Sequence, residues 1–182
     1  YPFGYGLSYT TFALSDARGG LNDAGEIVLT ATVANTGKCA GKYVLQAYVN
    51  PPKGRIAKPA TALVGFAKTR LLEPGESETL TVSFAPYAFA AYDDEGTVRK
   101  SAYVLEKGAY SFRVGENVRE TVNVEYQYTL ENDAVLEQLS PKCAPTLLHR
   151  RMLADGSYRE IVCAPETPRE DWRKLEGIPD EG

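Results

Sequence analysis

The chain has 182 residues, 43% hydrophobic and 24% charged, a balance that suits a soluble globular protein with room for one ordinary domain and an appendage. A formal charge of −4 with no concentrated basic stretch excludes a nucleic-acid partner or an anionic-membrane surface, and no apolar run reaches the roughly 20 residues of a membrane span. Cys39, Cys143 and Cys163 are odd in number and lack a Cys-x-x-Cys spacing, which argues against a zinc site or a disulfide framework. Free thiols and the lack of an Asn-x-Ser/Thr acceptor lean toward a reducing, cytoplasmic setting.

From the N-terminus, residues 1–12 crowd aromatics around Pro2, Gly4 and Gly6. Pro2 fixes its own φ and the glycines permit close backbone approach, so a packed turn is predicted to lead into a strand over 9–15. A terminal strand gives Phe3 and Tyr5 little to bury against. A preceding domain is therefore expected to supply that surface, and the chain reads as cut from a longer protein. Residues 16–25, with three glycines and Asn22, read as a loop.

Residues 26–35 alternate Ile27, Leu29, Ala31 and Val33 with Thr30 and Thr32, the period of a half-buried strand. After the turn Asn35-Thr36-Gly37, a strand over 42–50 should face the core with Tyr43, Leu45, Ala47 and Val49, and face outward with Val44, Gln46 and Tyr48. Three prolines keep 50–60 out of any central strand, leaving a long exposed loop with Lys53, Arg55 and Lys58. Strands follow over 61–69 and 77–84, the second with Leu80, Val82 and Phe84 inward. A short helical turn or edge segment over 86–92 precedes the acidic turn Asp93-Asp94-Glu95-Gly96. An extended edge segment over 100–105 and a hairpin of 108–114 with 120–128 complete the series. Roughly seven short strands, with turns about every 8–12 residues, predict an all-β, immunoglobulin-like sandwich over 1–128. Tyr110, early in its strand, should bond its hydroxyl to upstream backbone.

Residues 129–182 have a different texture and read as an interdomain connector with short helices. Asn132 or Asp133 is predicted to cap a helix through Leu139, a second helix is predicted over 146–153, and a third from Pro168 through Trp172 and Leu175 to Gly177. No continuous apolar face is large enough for a separate core.

The opening run Pro2-Phe3-Gly4-x-Gly6-Leu7-Ser8-Tyr9-Thr10-x-Phe12 resembles the start of the fibronectin type III-like domain of glycoside hydrolase family 3, the β-glucosidases and related enzymes. Val33-Ala34-Asn35-Thr36-Gly37 with Gly41, then Gln46-Ala47-Tyr48-Val49, Leu63-Val64-Gly65-Phe66, Leu72-Glu73-Pro74-Gly75-Glu76 and Gly108-x-Tyr110 follow in that domain's order. The tail segments 136–139 and 150–158 resemble the connector of a branch in which the α/β and fibronectin-like domains precede the barrel. That resemblance implies a barrel domain after Gly182. It also implies that the nucleophilic Asp and the acid/base Glu of a retaining glycosidase lie in those other domains of the parent chain, with its carbohydrate substrate.

No residue here is assigned a catalytic or substrate-binding role, and no metal or cofactor is expected. Asp171-Trp172 lacks the serine and the apolar strand of the family's nucleophile motif. The acidic triplet at Asp93 lacks the spacing of a calcium loop, and the lone His149 has no nucleophile beside it. The expected role is accessory: Phe3, Tyr5, Leu7, Tyr9, Phe12, Leu136 and Leu139 are predicted to pack against neighbouring domains. The alternative is an independent carbohydrate-binding or adhesion module using a platform of Tyr48, Tyr92, Tyr103, Tyr126 and Tyr128, although strands also use tyrosine half-buried with its hydroxyl in water.

Overall fold

Side-chain alternation with a period of two sorts this chain into strands that each own one buried face. The computed structural model describes residues 1–143, 148–153 and 155–161, and the chain divides into a first unit, Tyr1–Leu139, and a second, Ser140–Gly182. The first unit holds β1 (Phe12–Leu21), β2 (Ile27–Asn35), β3 (Val44–Asn50), β4 (Ala62–Lys68), β5 (Ser77–Phe84), β6 (Ala91–Asp93), β7 (Ala102–Leu105), β8 (Gly108–Gly115), β9 (Thr121–Leu130) and β10 (Ala134–Gln138). The second holds β11 (Arg150–Met152) and β12 (Tyr158–Glu160). Among the described residues, all pairings between these strands are antiparallel.

One sheet has the order β1-β2-β5 and faces a second of order β4-β3-β8-β9. Ile27, Leu29, Ala31 and Val33 from β2 and Leu80, Val82 and Phe84 from β5 meet Leu45, Ala47 and Val49 from β3 and Tyr110, Phe112 and Val114 from β8 in one core. Tyr43 joins them just before β3, so the predicted inward set is the observed one. A 3-10 turn, Pro86–Phe89, drives Phe89 into the end of this core, its ring centroid 5.1 Å from Tyr110 and 5.9 Å from Phe112. The Tyr110 hydroxyl donates to the Glu106 carbonyl at 2.8 Å, the upstream backbone bond expected of it.

Several elements differ from the sequence expectation. The first strand begins at Phe12 and runs on through the predicted loop to Leu21, with a bulge between Ser15 and Arg18 where Asp16 takes φ 52°. Gly19 is there for proximity, since a Cβ would meet Leu29 Cδ2 and Tyr126 Cβ at 2.9 Å. The predicted edge segment over 100–105 is instead a centre: β7 lies between β10 and β6 in a third sheet. β10 replaces the helix predicted up to Leu139, because the Asp133 carboxylate does not cap; it accepts the Lys107 N–H at 2.8 Å and pairs with Arg55. The first unit accordingly continues past residue 128 to Leu139.

The 50–60 loop is not simply exposed. Ile56 is buried against Ala102 and Val104, and Glu106 receives the Arg55 N–H at 2.7 Å, the Ile56 N–H at 3.2 Å and the Lys58 ammonium. Asp93 is likewise buried, accepting the N–H groups of Gly96, Thr97, Val98 and Arg99 at 2.6 to 3.0 Å, so the acidic turn is built around its carboxylate.

In the second unit, part of the helix predicted over 146–153 is strand β11, joined to β12 across Asp155-Gly156. Gly156 takes φ 82° and Ser157 donates its N–H to Asp155 Oδ1 at 2.9 Å, a tight turn that no helix tolerates. His149 is exposed, and its carbonyl accepts the Ile161 N–H at 2.9 Å. The third predicted helix, with Asp171 and Trp172, lies outside the described residues.

Candidate docking surface

On β3, the outward set of Val44, Gln46 and Tyr48 should meet water. Two do not: Gln46 is buried and Tyr48 is only 1% exposed, because the N-terminal segment lies across them. Gln46 Nε2 donates to the Gly4 carbonyl at 2.9 Å and to the Glu116 carbonyl at 2.5 Å, and the Tyr48 hydroxyl donates to Gln46 Oε1 at 2.6 Å. Val118 donates its N–H to the Phe3 carbonyl at 3.0 Å, and Tyr5 donates to Pro2 at 3.1 Å within the turn. Gly4 takes φ 82°, and a Cβ on it would come within 2.0 Å of Gln46 Oε1, so both conformation and space require glycine.

The main chain of this strap is thus fixed while its side chains face outward. Phe3 and Tyr5 are exposed, Leu7 is 89% exposed and Tyr9 100% exposed, with the Tyr5 ring stacked on Tyr1 at 4.9 Å. Phe12 differs from the other predicted contact residues: it packs against Tyr43 at 5.2 Å on the rim of the core. Thr10 anchors the strap's end, donating its hydroxyl to Asn35 Oδ1 at 2.7 Å, while Asn35 Nδ2 donates to the carbonyls of Cys39 and Leu72 at 2.8 Å. Leu136 and Leu139 are half-exposed at β10 and just after it, on the third sheet, away from the strap's own sheet.

The same outer face of the four-stranded sheet carries two residues that sequence reading missed. Phe66 sits across from Gln46 and Leu63 across from Tyr48, because the bulge between Ala47 and Tyr48 shifts the register of β4 by one residue. Their numbering parity hides that shared face, and both are exposed. Below the strap's Val118 bond, the Glu116 carboxyl is held above the usual range and Glu120 below it by the hydrogen bond they share. The Tyr43 phenol is raised by burial and then by both carboxylates, and Tyr48 is raised by burial. Among the described residues, no group of three or more His, Cys, Asp or Glu is placed to hold a metal ion.

The tyrosine platform divides. Tyr48 is under the strap, and Tyr126 and Tyr128 pack onto the main core, leaving Tyr92 exposed and Tyr103 half-buried on the third sheet.

Two facing antiparallel sheets, a tyrosine bonded back to upstream backbone and a match of residues 43–118 to the fibronectin type III-like domain family define the class: the first unit is a fibronectin type III-like domain. It is of the kind that glycoside hydrolase family 3 β-glucosidases carry. The chain is 47% identical over 175 residues to β-glucosidase A of Butyrivibrio fibrisolvens, taking in 88% of this chain and 21% of that relative. It is 43% identical over 164 residues to a β-glucosidase of Ruminococcus albus, taking in 88% of this chain and 17% of that one. Among solved structures, a β-glucosidase from Paenibacillus barengoltzii aligns with TM-score 0.76 and 38% identity over 99% of this chain and 21% of its own. β-Glucosidase 3B from Thermotoga neapolitana in complex with glucose aligns with TM-score 0.66 and 37% identity over 75% of this chain and 18% of its own. The chain spans about a fifth of the length of the curated relatives it matches.

Proposed function

We propose that this chain is the non-catalytic bridging domain of a longer glycoside hydrolase, held between an α/β domain and a barrel domain. The whole protein would release terminal β-linked sugars from glucosides or oligosaccharides with retention. The observation that carries this reading is the strap: Phe3, Tyr5, Leu7 and Tyr9 expose apolar surface from a backbone pinned by Gln46 and Val118. A frayed terminus gains nothing from such fixation, whereas a contact surface needs it. The exposed Phe66 and Leu63 extend the same face.

Relatives support the parent activity, since each alignment takes in a fraction of a β-glucosidase. We read the tail as a connector to a following barrel; the alignment with the Paenibacillus enzyme takes in 99% of this chain, the tail included. In the longer chain, replacing Phe3, Leu7 and Tyr9 with serine should lower the temperature of inactivation toward a chromogenic β-glucoside. The melting of the 182-residue chain should stay unchanged. Equal inactivation of parent and variant overturns the bridging role and favours an independent carbohydrate-binding or adhesion module.

A further inference from the structure

The third sheet is small but has two distinct faces. Register places Ala91 opposite Val104 and Asp93 opposite Ala102 on the inner side, where Ile56 and Val98 pack. On the outer side Tyr92 stands directly opposite Tyr103, and Tyr103 is paired in turn with Glu137 of β10. Tyr87, from the 3-10 turn, lays its ring 5.1 Å from Tyr103 and donates its hydroxyl to Glu137 Oε2 at 2.6 Å. Tyr92 and Tyr103 lie 5.5 Å apart.

These rings are not core residues that happen to reach the surface. Tyr87 is 45% exposed and Tyr92 41% exposed, and neither belongs to either buried cluster. The interplanar angles of 51° and 61° mean that the rings form no single flat plane. Each presents its own face, suited to one small amphipathic ring rather than to a long planar ligand. Equatorially substituted pyranoses have that character: their faces are C–H surfaces and their edges are hydroxyls. A carboxylate beside an aromatic face supplies the acceptor such hydroxyls need.

We infer that Tyr87, Tyr92, Tyr103 and Glu137 form a sugar-binding site for a pyranose ring of a β-linked gluco-oligosaccharide. The pyranose stacks on the exposed face of Tyr92, whose ring is held in edge-to-face contact with Tyr103, and a sugar hydroxyl donates to Glu137, which the Tyr87 hydroxyl holds in place. The choice of a β-linked gluco sugar rests on the proposed parent activity; the site rests on the tyrosine geometry. Such a site would hold oligosaccharide near the hydrolase without taking part in cleavage.

The test is a titration of the 182-residue chain, labelled at its tyrosine rings, with cellobiose, chitobiose and the open-chain polyol sorbitol, read by NMR. The expected result is saturable shifts with cellobiose at Tyr87, Tyr92 and Tyr103 and none with sorbitol. Tyr92→Ala should weaken binding about tenfold and Glu137→Gln by a smaller factor. Tyr92→Leu serves if the alanine variant does not fold. Shifts equal with sorbitol, or unchanged by the Tyr92 variants, overturn the site. Saturation by chitobiose but not cellobiose overturns the assigned sugar. No shift with any of the three also overturns the site, and leaves the bridging role to the strap variants in the longer chain.

Discussion

Lys58 and Glu106, 48 residues apart in sequence, form an ion pair whose carboxylate is 4% exposed, and this pair closes the proline-rich loop onto the third sheet. The N–H groups of Arg55 and Ile56 share the same carboxylate, so one side chain organises a whole turn of the loop. Removing one partner of a buried pair strands the other, and Glu106→Ala should cost about 3–5 kcal/mol in urea denaturation. Fast amide exchange over 53–58 should accompany the loss. A variant within 1 kcal/mol of the parent, by that rough measure, would show that the loop holds without its latch.

Acid should unfold this domain through identified groups. Burial pushes the Glu106 carboxyl up, but the Lys58 ammonium and the Arg55 and Ile56 N–H groups outweigh it and the net value is lowered. Asp93 is lowered in the same way, with burial opposed by four backbone N–H bonds. A carboxylate depressed in the folded state contributes its stability fully above its unfolded value, about 4, and loses it as pH falls through the folded value. The stability that Glu106 and Asp93 contribute should therefore be complete above about pH 5, melting temperature should fall steeply below about pH 4, and Glu106→Gln should flatten that acid limb. An unchanged limb in the variant would remove Glu106 from the account.

Gly4→Ala should release the strap. The added Cβ meets Gln46 Oε1 at 2.0 Å on a backbone of φ 82°, so the residue must move and take the Gly4 carbonyl off Gln46. Loss of that bond and exposure of Gln46 and Tyr48 should cost about 1–3 kcal/mol. Limited proteolysis should then cut within 1–9, where the parent resists; equal resistance would mean that Val118 alone holds the segment.

Phe89 plugs the end of the core against Phe84, Tyr110, Phe112 and Tyr128, at centroid distances of 5.1 to 6.3 Å. Phe89→Ala should cost about 3–5 kcal/mol by thermal or urea unfolding, and Phe89→Leu much less. Tyr110→Phe keeps the ring and loses only the bond to the Glu106 carbonyl, so about 0.5–1.5 kcal/mol is expected.

The sandwich was legible where one face of a strand is wholly buried. Ile27 to Val33 and Leu80 to Phe84 alternate without interruption, and their order follows from that. It was illegible where glycine serves proximity: Gly19 looked like a loop residue and is the point where β1 passes over Tyr126. Short strands failed for another reason. Ala134–Gln138 reads as helix by composition, and only the open edge of β7 and the Asp133 bond to Lys107 make it extended. The Asp155-Gly156 pair is a hairpin signal that lies just beyond the segment 146–153 whose spacing suggests a helix. Of the candidate docking surface, the strap's aromatics were readable from their motif. Phe66 and Leu63 were not, because a bulge on β4 breaks the parity that alternation relies on.

β10 reaches the third sheet from beyond the last strand of the sandwich, and it fills the side of β7 that β6 leaves open. Anyone trimming this domain at the end of β9 would uncover a row of backbone donors and acceptors on β7 and deprive Arg55 and Lys107 of Asp133 in the same cut. A bare strand edge is a template for another chain. The smallest well-behaved piece should therefore run to Leu139, and shorter ones should self-associate through β7 before they show any loss of the main core.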